Sequence, residues 1–306
     1  MPFIGRDWRA DGEQWTKSEI GSWERSRRIS FSNLSSNYNC SLSDIFNALD
    51  IVNSVTNQRR FNYIAKVVQI LFAEKLGELS GTAQRCLFQI LDRMIQMVLT
   101  TGDNILLMQR LVTQFHDCIH RAYPFYYYIG SAALWRQNTE ILTRMKEKVK
   151  HIHIQTVDQN KATFNCLPTE IQREIVRKLD NGIDLINFGM INSSLHRLTQ
   201  ELLLWKQLCL YHFGDETQSD DKMGDKILGL LRRQSKDFDK ENIDWKKVYF
   251  KLKRQHGLRE VYADMIHQCQ LCKNLFWQDC DHSCLYETRT PSSKSITPRK
   301  LVNMLI

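Results

Sequence analysis

The sequence predicts a mainly α-helical protein: an N-terminal helical bundle, a three-helix unit, and a small C-terminal helical region with a candidate zinc knuckle. Two observations carry this expectation. Apolar residues recur at spacings of three and four over long stretches, the period of a helix that buries one face. The 306 residues include only five prolines, at Pro2, Pro124, Pro168, Pro291 and Pro298. Most of the chain is therefore free of the residue that breaks helix interiors. Alternation of the strand type is nearly absent.

Residues 1–40 read as an irregular N-terminal arm. Trp8, Trp15 and Trp23 sit in a polar setting, and Ser, Asn and Arg dominate from Ser26 to Asn39. Residues 41–155 read as the bundle. Phe61, Ile64, Val67, Val68, Leu71 and Phe72 share one face; Leu87, Leu91, Met94, Ile95 and Val98 share another. Leu107, Leu111, Phe115 and Ile119 repeat the pattern. Ser80-Gly81 and Gly102-Asp103-Asn104 supply cap and turn chemistry between these segments, as short loops between antiparallel helices require. Tyr123 to Tyr128 forms a dense aromatic turn around Pro124. Without interleaved basic residues it suits packing between helices better than stacking on bases. A further helix is expected from Ala132 to Val149, then a polar linker from Gln155 to Lys161.

Composition narrows the function classes. Apolar residues make up 42% and charged residues 25%, as in an ordinary globular protein. No apolar run approaches the roughly 18 residues of a membrane span, and Met1 to Trp8 lacks the apolar stretch of a secretory signal. Lys and Arg number 42 against 34 Asp and Glu, a net charge of +8, but no block of like charges concentrates it. The nine cysteines are an odd count, which points to a reducing intracellular compartment rather than a disulfide framework.

Residues 163–213 are the most informative. Pro168 suits the first turn of a helix, Ile171, Ile175 and Leu179 recur every four residues, and Asn181-Gly182 stops that helix. Ile183 to Phe188 form a second apolar run. Leu195, Leu198, Leu202 and Trp205 mark a third helix. A unit this small buries too little apolar surface to be secure alone and needs a neighbour or partner. The pattern Leu167-Pro168-Thr169-Glu170-Ile171, Ile175, Leu179, Asp184-Leu185 and Leu204-Trp205-Lys206 resembles the F-box. Further islands resemble the muscle-atrophy F-box (atrogin) family. They include Met1 to Gly5, Asp7-Trp8-Arg9, Gly12, Trp15, Arg59 to Tyr63, Leu79-Ser80-Gly81 with Ala83-Gln84, Leu208-Cys209, Tyr211-His212-Phe213, Trp245-Lys246 and Tyr249-Phe250. One departure stands out. The family carries a compact basic nuclear-import cluster in a longer arm, and here only Arg25, Arg27 and Arg28 remain.

The resemblance implies a non-catalytic role. Leu167, Pro168, Ile171 and Ile175, with Leu179 and Leu185, would bind a Skp-type adaptor as a helix laid in a groove, and Trp205 would pack the motif's own core. Through the adaptor come cullin and RING subunits and a ubiquitin-loaded conjugating enzyme. The rest of the chain would bind target proteins for ubiquitination and proteasomal degradation, in cytoplasm or nucleus.

Residues 214–306 hold the Cys/His cluster: a Cys269-x2-Cys272 knuckle followed by Cys280, His282 and Cys284. Soft ligands in this number suit structural zinc, with five candidates for four positions. The family resemblance favours Cys269, Cys272, His282 and Cys284, leaving Cys280 as a spare thiol or a replacement ligand.

Other motifs carry less. His116 and His120 have the spacing of a metalloprotease pair, but Asp117 stands where glutamate is required. His151-Ile152-His153 lacks a carboxylate or thiol partner. No P-loop, dinucleotide glycine pattern or nucleophile elbow occurs. The basic stretch Trp245 to Arg254 reads as a helix whose Trp245, Val248, Tyr249 and Leu252 face a core. A zinc-stabilised helical scaffold binding nucleic acid is the second hypothesis, resting on the charge, the knuckle and this helix. The terminal Met304-Leu305-Ile306 would suit a PDZ-type groove or dock on its own domain.

Overall fold

The structure is a computed structural model that describes residues 15–17, 23–28, 39–126, 132–152, 163–214, 243–280, 282, 284 and 292–306. Residues 1–14, with the Met1–Gly5, Asp7–Arg9 and Gly12 islands, the 155–161 linker, and Tyr127 and Tyr128 lie outside them. The chain divides into two compact units, residues 1–156 with 261–306, and residues 157–260.

The first unit is the bundle. Short antiparallel ladders precede it: β1 (Trp15–Lys17) pairs with β2 (Trp23–Arg25), and β3 (Arg27–Arg28) with β4 (Asn39–Cys40). The arm expected to be irregular is thus partly paired, its strands too short for alternation to show. Buried Glu24 pins it. Its carboxylate accepts from the Ser43 N–H at 3.1 Å, the Ser43 hydroxyl at 2.7 Å and the Ser80 hydroxyl at 3.1 Å, at the N-terminal ends of two helices. A negative charge is favoured there by the exposed amide dipoles.

The helices follow in order: α1 (Leu42–Ala48), α2 (Ile51–Ser54), α3 (Gln58–Ile70), α4 (Gly81–Thr101), α5 (Ile105–Tyr126) and α6 (Ala132–Lys150). Ser41 and Ser80 cap α1 and α4 by accepting from the backbone amides of Asp44 and Ala83, each three residues on. Gly102, at φ 74°, closes α4 in the left-handed conformation that costs glycine nothing. α5 continues through Pro124 to Tyr126, beyond the turn expected at Tyr123, since a proline near the last turn removes only one ladder bond. Phe72 stacks on Phe115 at 4.1 Å and meets Phe88 edge-on at 5.4 Å, so one aromatic cluster joins α4, α5 and the π-helical turn after α3.

The second unit holds α7 (Thr169–Val176), α8 (Gly182–Gly189), α9 (Ser193–Thr199), α10 (Leu202–Phe213) and α11 (Trp245–His256). The expected third helix is two, with Leu195 and Leu198 on α9 and Leu202 and Trp205 on α10, and the neighbour that the unit needs is α11, which packs on α10. Trp245, Val248, Tyr249 and Leu252 are buried with Leu185, Leu204, Trp205 and Leu208. Asn181 corrects the expected stop. Its side chain accepts from the Ile183 N–H and caps the start of α8, while α7 has ended five residues earlier at Val176. Gly182 is required by proximity: its N–H donates to the Tyr249 hydroxyl at 3.1 Å, and a Cβ there would clash with Tyr249 and lie 2.9 Å from Trp205.

The region expected as one C-terminal piece, 214–306, is split. Its end returns to the first unit as β5 (Ile266–Cys269), β6 (Leu275–Trp277), β7 (Ser293–Ser295) and α12 (Pro298–Leu305). The sheet is antiparallel with order β6-β5-β7, where only helix was expected. Its strands are three or four residues long, and β7 is exposed throughout, so no alternating signal exists to read. α12 buries Leu301, Val302 and Leu305 and packs on α3. An amphipathic pattern announces that face but not its partner, which is why the split escapes sequence reading.

The anchor is Arg60. Its Nε donates to Asp264 Oδ2 at 2.6 Å, Nη1 donates to Ser54 Oγ at 3.2 Å, and the guanidinium lies 4.6 Å from the Trp277 ring. Asp264 is fully buried and also accepts from the Asp279 N–H at 3.3 Å. Tyr63 Oη donates to the Ile296 carbonyl and Trp277 Nε1 to the Leu49 carbonyl, both at 2.9 Å. Truncation of Arg60 leaves a buried carboxylate without its cation, so Arg60→Ala should cost about 3–5 kcal/mol in chemical denaturation. Arg60→Met/Asp264→Leu should recover part of that loss. Gly182→Ala should destabilise the second unit by about 1–3 kcal/mol through overpacking, read as a lower midpoint of its unfolding transition.

Candidate functional site

Two arrangements carry chemistry, one in each unit. In the second, the chain enters through a 3-10 turn, Phe164–Cys166, and Pro168 is the residue before α7 rather than its first turn. Buried Gln172 fixes this entry. Its Nε2 donates to the carbonyls of Phe164 at 3.0 Å and Leu167 at 3.1 Å. Arg173 Nε donates to Glu201 Oε1 at 2.7 Å and ties α7 to the start of α10. The inward face of α7 is Gln172 and Val176, so the adjacent i,i+4 pair, Ile171 and Ile175, is turned out and 48% and 44% exposed.

Those two are not isolated. Among the described residues twelve large apolar side chains are exposed, and eight of them fall between Ile171 and Tyr211. Ile183, Met190, Ile191, Leu202 and Leu203 belong to this set, Met190 at 74% exposure. Single exposed apolar residues need no explanation, but eight within one small unit make it a candidate interaction surface. Leu167 is half-buried, Pro168 is exposed, and Leu179 packs against the unit's core. Leu185 is a correction. It is fully buried among Trp205, Tyr249 and their neighbours, because α8 turns it inward, and it holds the core instead of meeting an adaptor. Trp205 is buried as expected, with Nε1 donating to the Thr199 carbonyl at 2.7 Å. The signal that could reveal Gln172 is weak: a polar residue between two isoleucines reads as surface until the turn before it is seen.

The second arrangement is the Cys/His cluster. The turn after β5 is closed by the Cys269 N–H donating to the Asn274 carbonyl and the Lys273 N–H donating to the Cys269 carbonyl, with Lys273 left-handed at φ 62°. This returns Cys272 beside Cys269. His282 stacks on Phe276 of β6 at 4.9 Å. The donor atoms of Cys269, Cys272, His282 and Cys284 all lie within 4.8 Å of one another. Cys269 Sγ is 3.9 Å from Cys284 Sγ, and Cys272 Sγ is 2.9 Å from His282 Nε2. These separations bracket the roughly 3.5–3.8 Å edge of a tetrahedron built from thiolate and imidazole ligands. Three thiols and an imidazole are the donors of a soft divalent cation, so the cluster could hold a metal ion.

The protonation pattern agrees with that chemistry. Burial pushes the Cys269 thiol up, but the N–H groups of Cys272 and Leu271 outweigh it and leave the thiol below its usual range. Cys272 is pushed up to about 11 by burial, with the adjacent Cys269 adding to it. Two neighbouring thiolates repel, and a bound cation removes the penalty. Cys280 stands outside the cluster and accepts from Arg60 Nη2 at 3.2 Å. The His116 and His120 rings approach to 3.1 Å between Nε2 atoms, yet Lys146 Nζ lies 3.4 Å from His116. Among the described residues no third donor joins them.

Comparison with known proteins follows the same lines. Residues 32–150 match the F-box only protein 32 helical bundle domain. The chain is 28% identical to F-box only protein 32 of Homo sapiens and 26% identical to F-box only protein 25 of Bos taurus, over 99% of this chain and of each relative. The chain is similar along nearly its whole length to these F-box only proteins. Identity to F-box only protein 32 of Bos taurus is 27% over 366 aligned positions, more than this chain has residues, so the relative carries insertions that it lacks. No solved structure matches. The matched domain covers β4 and helices α1 to α6, and the F-box pattern falls in the other unit.

Full-length protein refolded with cobalt under reducing conditions should bind one equivalent and show the visible ligand-field bands of tetrahedral thiolate coordination. Cys269→Ser and Cys272→Ser should abolish those bands, while Cys280→Ser keeps them.

Proposed function

We propose that the chain is the non-catalytic substrate-recognition subunit of a Skp–cullin–F-box ubiquitin ligase. The observation that carries this reading is the outward Ile171–Ile175 pair on α7, within the eight exposed apolar side chains of residues 171–211 and directly after Leu167-Pro168. A helix face of that kind is stable in water only at a cost, and an adaptor groove removes it. The kinship with F-box only proteins supports the same assignment. Ile183, Met190, Ile191, Leu202 and Leu203 join Leu167, Pro168, Ile171 and Ile175 as candidate contacts, while Leu185 and Trp205 hold the core beneath them.

The work of such a subunit is positional. Holding a target near a charged conjugating enzyme replaces an encounter in solution by a local one and raises the effective concentration of the target lysine. The chain then binds the adaptor through the second unit, and cullin and RING subunits through the adaptor. Its targets are proteins marked for ubiquitination and proteasomal degradation. The ion in the Cys269, Cys272, His282 and Cys284 cluster is proposed to be structural zinc. It would fasten the ends of a segment whose short strands bury little apolar surface of their own.

The test is adaptor binding by the full chain. Each isoleucine is about half exposed, so its complete burial contributes about 1 kcal/mol, and an aspartate in its place adds the cost of a desolvated charge. Ile171→Asp/Ile175→Asp should therefore weaken a purified Skp-type adaptor by about a hundredfold or more while circular dichroism stays unchanged. Adaptor affinity that survives in the folded double variant would overturn the reading.

A further inference from the structure

The helix α11 has two faces with opposite chemistry. Trp245, Val248, Tyr249 and Leu252 close the core of the second unit. The other face lines an open groove of about 760 Å³, walled by Lys246, Lys247, Lys251 and Arg254 with Phe250 among them. Among the described residues the one acid lining it is Asp244, which already caps the helix by accepting from the Lys247 N–H and pairs with Lys247 Nζ at 3.2 Å. Three cations are left in excess in one short groove. Phe250 is half-buried against Trp205 and Tyr249, so the groove has an aromatic floor beneath its charges. Lys206 and Lys246 sit over the rings of Trp245 and Trp205, at 6.0 and 5.5 Å, and extend the positive field along α10.

We propose that this groove binds an acidic segment of a partner protein, an Asp/Glu-rich stretch carrying one large apolar side chain, and that it is a target-recognition surface of the subunit. Charge complementarity fixes the sign of the occupant, and the Phe250 floor fixes its apolar anchor. A single-sided cluster of four cations on one helical face is small for nucleic acid, whose affinity grows with the number of phosphates neutralised along an extended track. The inference deepens the ligase reading and rests on it for what is presented. The groove residues are distinct from Ile171 and Ile175, so adaptor binding and segment binding can fail separately.

The probe is a fluorescein-labelled peptide of alternating Asp and Glu around a central Phe, read by anisotropy with the full chain. The comparison ligands are its Asn/Gln analogue, a single-stranded oligonucleotide of equal charge, and phosphatidylserine-containing vesicles. The acidic peptide should bind at least tenfold tighter than its amide analogue, and its affinity should fall as salt rises. Lys251→Glu/Arg254→Glu should cost at least tenfold. Arg85→Glu/Arg110→Glu, the same charge change on the first unit, should cost less than twofold. Adaptor affinity is measured on every sample and should be equal in all. Peptide binding that ignores both charge pairs, or falls equally with either, would overturn the groove. Tighter groove-dependent binding of the oligonucleotide or the vesicles would replace the protein segment with that ligand.

Discussion

The contact between Arg60 and Asp264 is where the C-terminal sheet is held to the helical bundle. Everything after residue 261 in the first unit has short strands, and little of it would fold on its own hydrophobic area. Asp264 is fully buried and tolerates this because Arg60 and the Asp279 N–H occupy both of its oxygens. The same guanidinium covers Trp277 and reaches Cys280. The strand that bears Cys269 is thus indexed to α3, and the four donors are brought to a fixed frame. A metal ion would act on that segment from the other side, tying the knuckle to His282 and Cys284. One end is held by charge and packing, and a bound ion would hold the other.

The second unit solves its own problem of size. Four short helices present Leu185, Leu204, Trp205 and Leu208 to one interior, and α11 supplies Trp245, Tyr249 and Leu252 to cover them. Tyr249 does this at such close range that residue 182 has to be glycine. With its interior filled this way, the unit can turn Ile171, Ile175 and Met190 outward, and the far face of α11 can carry charge. The packed core, the proposed adaptor face and the proposed target groove therefore sit on one scaffold of twelve-residue and shorter helices.

Much of this was legible in the residues. The helices of the bundle follow from period and caps. Spacing alone marks Trp245, Val248, Tyr249 and Leu252 as interior, and the family resemblance marks Trp205. The convergence of Cys269, Cys272, His282 and Cys284 was carried by the family resemblance rather than by spacing, since spacing left Cys280 in contention. What could not be read has physical causes. Leu185 and Ile183 belong to the same apolar run, and only the pitch of α8 decides which one is interior. The ladders of the arm have two or three residues each, below the length at which alternation means anything. The return of α12 to α3 depends on long-range contacts such as Tyr63 with Ile296, which no local pattern encodes.

We place the adaptor surface on the outward apolar face of the second unit. Hydrogen–deuterium exchange on the full chain, with and without a purified Skp-type adaptor, tests this directly. New protection is expected over residues 167–176 and in the segments around Ile183, Met190 and Leu202, with the bundle from Leu42 to Lys150 unchanged. Protection that falls on the bundle, or no protection at saturating adaptor, would contradict it.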